Sequence, residues 1–108
     1  MSKSKLEEDL VFQIRACCLP TSVTQYRLPE IPERKHLWDF AFVEQRLLVD
    51  VQGGTWMPKG GHNTGQGIED DCEKMALATM AGYRVMFVTG LQIKDGRAVE
   101  WIERALKV

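Results

Sequence analysis

The sequence is poor in cysteine and histidine, which excludes several kinds of site. Its 108 residues contain three cysteines, Cys17, Cys18 and Cys72, which lack metal-ligand spacing and whose odd number argues against a disulfide framework. The two histidines, His36 and His62, are too few and too far apart to indicate a zinc site. We therefore expect three buried thiols that neither bind a metal nor form disulfides.

Long apolar runs are also absent. No stretch approaches the roughly 18 apolar residues of a membrane helix, and the N-terminal sequence MSKSKLEEDL lacks the apolar segment of a secretory signal. The formal net charge of −1 argues against a large non-specific nucleic-acid surface, although it allows a local basic patch. The length predicts one domain, residues 1–108, with a modest core. Together these features predict a cytoplasmic protein with no membrane partner.

Hydrophobic periodicity predicts an alternation of helices and strands. The predicted elements are helix 6–18, strands 23–28, 37–43 and 47–52, a helix from about residue 68 to Gly82, strand 83–89 and helix 95–106. In the second helix, one apolar face consists of Ile68, Cys72, Met75, Ala76 and Thr79. The order α-β-β-β-α-β-α predicts an α/β fold with a central mixed sheet flanked by helices.

Residues 53–67 are predicted to form a loop, because they hold six of the nine glycines. The loop contains no G-x-x-x-x-G-K-[ST], and no G-x-G-x-x-G in it opens a helix, so neither phosphate-binding motif is present. Lys59 and His62 are nevertheless candidates to contact a phosphate, and Trp56 to pack or stack. For His62, an ordinary surface position is the other interpretation.

A carboxylate interrupts the otherwise apolar strand 47–52, LLVDVQ. Because side chains alternate along a strand, Asp50 and Gln52 share one face with Leu48. The opposite face carries the expected core residues Leu47, Val49 and Val51. The alternation therefore explains how a polar pair fits a core strand.

The preceding strand, WDFAF, carries a second carboxylate. Here Trp38, Phe40 and Phe42 share one face and Asp39 lies on the other. A hairpin brings Asp39 next to Asp50, and two half-buried carboxylates repel unless they are protonated or bridged by a cation. Mg²⁺ takes one or two carboxylates and keeps several waters, so it suits this pair. The alternative is that both aspartates mark strand ends and face solvent.

Two further charged residues are candidates for the same site. Glu7 borders the buried face of the first helix, but it would also complete a capping box with Ser4. Lys74 falls on the polar side of the second helix, opposite Cys72 and Ala76, where a solvated lysine is the simpler interpretation.

These motifs resemble a known family. Asp39, separated by ten residues from the Asp50-Val51-Gln52 triplet, resembles the D-x(n)-(D/E)-x-K signature of the PD-(D/E)XK nuclease superfamily. The predicted order is also similar to that superfamily's restriction-endonuclease-like αβββαβ core. Over most of the chain, the series WDFAF, LLVDVQGGTW, GGH and DCEKMALATMAGYRVMFVT resembles small phage and prophage endonucleases related to very-short-patch-repair endonucleases.

The resemblance implies a role for each matching residue. Asp39 and Asp50 would be metal ligands, and the carbonyl of Val51 would complete the metal site. Glu7 would correspond to the first-helix glutamate of many superfamily members. The implied cofactor is Mg²⁺ or Mn²⁺.

Gln52 departs from the signature, which usually has lysine there. A lysine orients or deprotonates the attacking water and offsets charge near the phosphate, whereas glutamine hydrogen-bonds a water but carries no charge. The resemblance therefore implies that another residue, His62 or Lys74, supplies the missing function.

The implied activity is a metal-dependent DNA endonuclease that hydrolyses phosphodiester bonds in a phage, recombination or repair context. A homodimer is a further expectation, since two subunits could cut two strands. Gln52 and the near-neutral charge leave open a non-catalytic DNA-binding module that keeps the nuclease fold. A third possibility is a metal-dependent hydrolase of a smaller phosphate ester.

Overall fold

A mixed β-sheet flanked by helices forms the centre of the chain in the computed structural model, which describes residues 5–52 and 65–107. The elements are α1 (Lys5–Ala16), β1 (Val23–Tyr26), β2 (Trp38–Phe42), β3 (Leu47–Val51), α2 (Gly65–Met80), β4 (Arg84–Val88), α3 (Gly90–Lys94) and α4 (Arg97–Leu106). Within these ranges the strand order is β1-β2-β3-β4. The first three strands are antiparallel, and β4 runs parallel to β3. The expected α/β class is confirmed.

Apolar side chains fill both sides of the sheet. The α1/α4 cluster lies on one side, and its buried members are Leu10, Ile14, Phe40, Phe42, Leu47, Val49, Val88, Ile93, Ala98 and Ile102. The α2 cluster contains Leu28, Trp38, Ala41, Leu48, Ala78 and Tyr83. A strand that is buried on both faces is apolar almost throughout, as LLV in β3 is.

Strand alternation predicts most of this division correctly. Leu47 and Val49 enter the α1/α4 cluster and Leu48 enters the α2 cluster, as expected. Trp38 is the exception, because it packs in the α2 cluster rather than with Phe40 and Phe42. The alternation breaks where the β2–β3 register ends, at the pair Phe40–Val49.

The expected buried face of α2 is wrong. Cys72, Ala76 and Thr79 are exposed, and Ile68 is 57% exposed. The face that packs on the sheet contains Ala78 instead. Helix α2 has apolar residues on both sides, so periodicity alone did not distinguish the inner side from the outer one.

The expectation of buried thiols is also wrong, since all three cysteines are exposed. Cys72 lies on the outer side of α2. Cys17 and Cys18 follow the end of α1, where Cys18 has a left-handed φ of 57°. The Cys18 amide donates to the Arg15 carbonyl and the Leu19 amide to the Ile14 carbonyl. These bonds close the helix with Cys18 in the position that glycine usually occupies.

Helix ends account for the remaining differences. Gly82, with φ 94°, ends α2 as predicted. The short helix α3 is not predicted; a reciprocal capping box between Thr89 and Gln92 begins it. Gly96, with φ 89°, then separates α3 from α4. Helix α2 begins at Gly65, inside the segment predicted to be a loop.

Some predictions fall outside the described residues, namely those for Ser4, Trp56, Lys59 and His62. Within the described ranges, no helix is long and apolar enough to cross a membrane.

Candidate active site

The strands β2 and β3 separate at the two aspartates. Their register runs through Phe42–Leu47, Ala41–Leu48 and Phe40–Val49 and stops there. The next position along each strand is Asp39 on β2 and Asp50 on β3. The two carboxylates therefore replace ordinary strand pairing at this end of the sheet.

The two aspartates bind the backbone of each other's strand. The Asp39 amide donates to Oδ1 of Asp50 over 3.1 Å, and the Val51 amide donates to Oδ2 of Asp39 over 2.8 Å. These bonds satisfy backbone donors that the interrupted ladder would leave unpaired. They also fix both side chains, so the carboxylates are not frayed strand ends in solvent.

Lys74 of α2 completes this arrangement. Its Nζ lies 2.9 Å from Oδ2 of Asp50, and the two side chains are 14% and 13% exposed. The same ammonium lies 4.3 Å from the centre of the Trp38 ring, within the range of a cation–π contact. The interpretation of Lys74 as a solvated lysine is therefore wrong, because a buried carboxylate and an aromatic ring hold it inside.

Burial dominates the electrostatics of both aspartates. Desolvation raises the pKa of Asp39, the amide of Val51 opposes this rise, and the negative charge of Glu7 adds to it. Desolvation likewise raises the pKa of Asp50, although the Lys74 ammonium and its hydrogen bond lower it in part. Both carboxyls thus hold protons more strongly than exposed aspartates do.

Glu7 joins the site from α1, since its side chain is half-buried and interacts with the Asp39 carboxyl. Glu7, Asp39 and Asp50 together with Lys74 carry a formal charge of −2, from three carboxylates and one ammonium. A divalent cation would balance this charge.

A metal site made of protein ligands alone is not present in residues 5–52 and 65–107, where no three His, Cys, Asp or Glu side chains are grouped closely enough to hold an ion. Mg²⁺ does not require such a group, because it is commonly bound through one or two carboxylates and retains several waters. The pair Asp39 and Asp50 fits that mode of binding.

Val51 and Gln52 lie at the carboxyl end of β3, next to this pair. The backbone amide of Gln52 donates to the Val88 carbonyl over 2.7 Å, which extends the pairing with β4 by one residue. Both residues are half-buried. The Val51 amide binds Asp39, whereas a metal-binding role for its carbonyl remains a prediction.

Trp38 is the site residue that sequence reasoning missed. The pattern WDFAF assigned it to the face opposite Asp39, yet its ring supports Lys74. A signal for the inward position of Lys74 does exist. The spacing of Lys74, Ala78 and Ala81 places the lysine in the same helical row as two small apolar residues.

Comparisons with known proteins bear on the fold. No family model matches the chain, and no curated protein matches it. Among solved structures, its fold is similar to that of the homing endonuclease I-Bth0305I catalytic domain, with a TM-score of 0.71 and 15% sequence identity. The similarity covers 95% of this chain and 94% of that chain. The α/β architecture is thus shared with a nuclease catalytic domain, while membership of the PD-(D/E)XK superfamily remains a prediction.

Proposed function

We propose that this chain is a divalent-metal-dependent DNA endonuclease whose site is formed by Asp39, Asp50 and Lys74. The observation that carries the proposal is the pair of carboxylates, Asp50 buried and Asp39 half-buried, at the point where β2 and β3 separate, with Lys74 2.9 Å from Asp50. The likeness of the fold to a homing endonuclease catalytic domain supports the same reaction class.

Each aspartate would use its carboxylate in two ways. One oxygen of each accepts a backbone amide, which holds the side chain in place. The remaining oxygens are Oδ1 of Asp39 and Oδ2 of Asp50, and the latter also accepts from Lys74. With Glu7 beside Asp39, these two oxygens are the candidates to hold Mg²⁺ or Mn²⁺. A bound ion would supply a water of lowered pKa and offset negative charge on the phosphate.

Lys74 would supply the positive charge that the superfamily signature places at the position of Gln52. Its ammonium opposes the rise in the pKa of Asp50, so it helps to keep that carboxyl ionised for a metal. A cation fixed between Asp50 and Trp38 would also stabilise charge that develops on the phosphate. Gln52, on the same strand face as Asp50, would hydrogen-bond the attacking water.

A non-catalytic DNA-binding module is the second candidate, and one observation favours it. The ion pair with Lys74 already satisfies Asp50, so this carboxylate is stable in the fold without a metal. Such a module would bind DNA with an affinity that falls as salt rises, and would not cut it.

The test is a cleavage panel of duplex, mismatched, branched and single-stranded DNA in Mg²⁺, Mn²⁺ and EDTA. The proposal predicts cleavage of at least one DNA form with metal and none with EDTA. Asp50→Asn should reduce the rate by about 10²-fold or more, the usual effect of removing one preorganised electrostatic group. Asp95→Asn, at an exposed aspartate paired with Arg97, is the matched control and should cut like the parent.

Two results would count against the proposal. If the Asp50→Asn chain cuts as fast as the parent, the site is assigned wrongly. If the parent binds every DNA form but cuts none with either metal, the binding-module candidate is correct.

A further inference from the structure

Helix α2 has a second apolar face that the sheet does not cover. Its inner face, which includes Ala78, packs in the α2 cluster. On the outer face, Ile68 is 57% exposed and Met80 is 74% exposed. Helices that are apolar on both sides are typical of buried positions, so this outer face has the composition of an interface.

The outer face lines an open groove of about 570 Å³. The groove residues are Ile68, Asp71, Cys72, Met75, Ala76, Thr79 and Met80 of α2, and Phe87 of β4. β4 is the last strand of the described sheet, so the groove adjoins a sheet edge. Phe87 also contacts Trp38, with ring centres 6.4 Å apart, and it thereby connects the groove with the ring under Lys74.

We propose that this face binds the same face of a second copy of the chain, with the two α2 helices antiparallel. A two-fold axis near the middle of α2 would bring Ile68 of one copy to Met80 of the other. Cys72 would then meet Ala76, and these small side chains allow the helices to approach closely. Ile68 and Met80 lie at the two ends of the face, and Cys72 and Ala76 lie near its centre beside the unbranched side chain of Met75, which adapts to irregular packing.

Charge favours the antiparallel arrangement of two copies. Asp71 is the one charged residue that lines the groove among the described residues, and it lies in the first half of α2. A parallel pair would place the two Asp71 carboxylates side by side, where they repel. The antiparallel pair moves them apart and places each near the groove residues in the second half of the other helix, which are uncharged: Met75, Ala76, Thr79 and Met80.

The size of the face predicts a weak dimer. Helix α2 has 16 residues, so it is about 24 Å long and about 10 Å wide. Two such faces bury on the order of 500 Å², well under the roughly 1,600 Å² of a stable complex. We therefore expect association at micromolar to millimolar concentration, strengthened when one DNA molecule holds two copies.

Sedimentation velocity from about 1 µM to about 1 mM protein, without DNA or metal, tests the proposal. The parent should shift from monomer to dimer over this range. Met80→Glu should remain monomeric or raise the dissociation constant at least about tenfold, because burying a carboxylate is unfavourable. Phe12→Glu is the matched control: Phe12 is 71% exposed, on α1, and its replacement should leave the dimer unchanged.

Cross-linking at Cys72 reports the arrangement of the helices. In a chain with Cys17→Ser and Cys18→Ser, the antiparallel pair places the two Cys72 α-carbons roughly 10 Å apart. This separation is too long for a disulfide and suits a short bismaleimide. A covalent dimer should form in this chain and disappear when Met80→Glu is added.

Three results would contradict the proposed dimer or its arrangement. A parent that stays monomeric up to about 1 mM overturns the proposal, as does a dimer that survives Met80→Glu but is lost with Phe12→Glu. A dimer without a Cys72 cross-link overturns the antiparallel arrangement. Because no DNA is present, these results do not depend on whether the chain cleaves DNA.

Discussion

The two ends of the β2–β3 pair each carry a cation above an aromatic ring, but the cations differ in their partners. At the closed end, in the turn between the strands, Arg46 lies 4.0 Å from the centre of the Tyr83 ring and donates to the carbonyls of Ala81 and Gly82. At the open end, Lys74 lies over Trp38 and pairs with Asp50.

This difference indicates which end stabilises the fold and which end is prepared for chemistry. Arg46 donates to neutral carbonyls at the end of α2, and the carboxylate that it faces, Glu30 at 3.6 Å, is exposed like Arg46 itself, at 39% and 42%. Arg46 therefore joins the turn to the helix. Lys74 is buried against a carboxylate whose pKa is raised by burial. Perturbed groups of this kind occur preferentially at functional sites.

The largest expected effect separates the two cations by activity. Lys74→Met should lower the single-turnover rate of DNA cleavage by about 10²- to 10³-fold, because the site loses its fixed positive charge. Arg46→Met should leave the rate unchanged while lowering the free energy of unfolding by about 1.5–3 kcal/mol, as expected for hydrogen bonds from a charged donor. The measurements are cleavage at saturating DNA and urea unfolding.

A Lys74→Arg chain distinguishes charge from packing at the same position. It keeps the positive charge, so it should cut faster than Lys74→Met does. Equal rates for all three chains at position 74 would assign Lys74 to structure alone.

A lysine transferred to the signature position should recover part of the lost activity. Gln52 shares a strand face with Asp50, so Gln52→Lys added to Lys74→Met restores a cation beside the carboxylates. We expect the double variant to cut at least about tenfold faster than Lys74→Met. In the parent background, Gln52→Lys should change the rate less, since Lys74 is already present. A double variant no faster than Lys74→Met would show that the two positions are not equivalent.

The smallest effect concerns the pH dependence of stability. Burial raises the pKa of Asp39 above its usual 3.8. At a pH between 3.8 and this raised pKa, the folded chain therefore binds more protons than the unfolded chain. Asp39 therefore makes the fold less stable as the pH rises through this window. Asp39→Asn removes this loss and keeps an acceptor for the Val51 amide.

Urea unfolding of both chains across pH measures the difference. The free energy of unfolding of Asp39→Asn minus that of the parent should increase from about pH 4 upward and then level off, by on the order of 1 kcal/mol. A difference that stays flat or falls with rising pH would contradict the burial of an ionisable Asp39.

Sequence patterns predicted the parts of the fold that depend on local periodicity. Alternation correctly placed Leu48 opposite Leu47 and Val49, and Gly82 marked the end of α2, because both features are set by neighbouring residues. The proximity of Asp39 and Asp50 followed from the hairpin between their strands.

Tertiary contacts determined what the patterns did not. The periodicity of α2 showed an apolar face but not that the sheet packs against the other one. The inward position of Lys74 depends on a buried carboxylate 24 residues earlier in the chain. The place of Trp38 depends on the separation of β2 from β3. Each of these requires knowledge of which surfaces meet, and periodicity alone carries no such information.

The proposed activity depends on metal binding by the two aspartates, which a Mn²⁺ titration followed by electron paramagnetic resonance measures. We expect the parent and Asp95→Asn to bind one Mn²⁺ at the site, and Asp39→Asn and Asp50→Asn each to weaken this binding by at least about tenfold. If both variants bind Mn²⁺ as tightly as the parent, Asp39 and Asp50 at the open end of the β2–β3 pair are not the metal site.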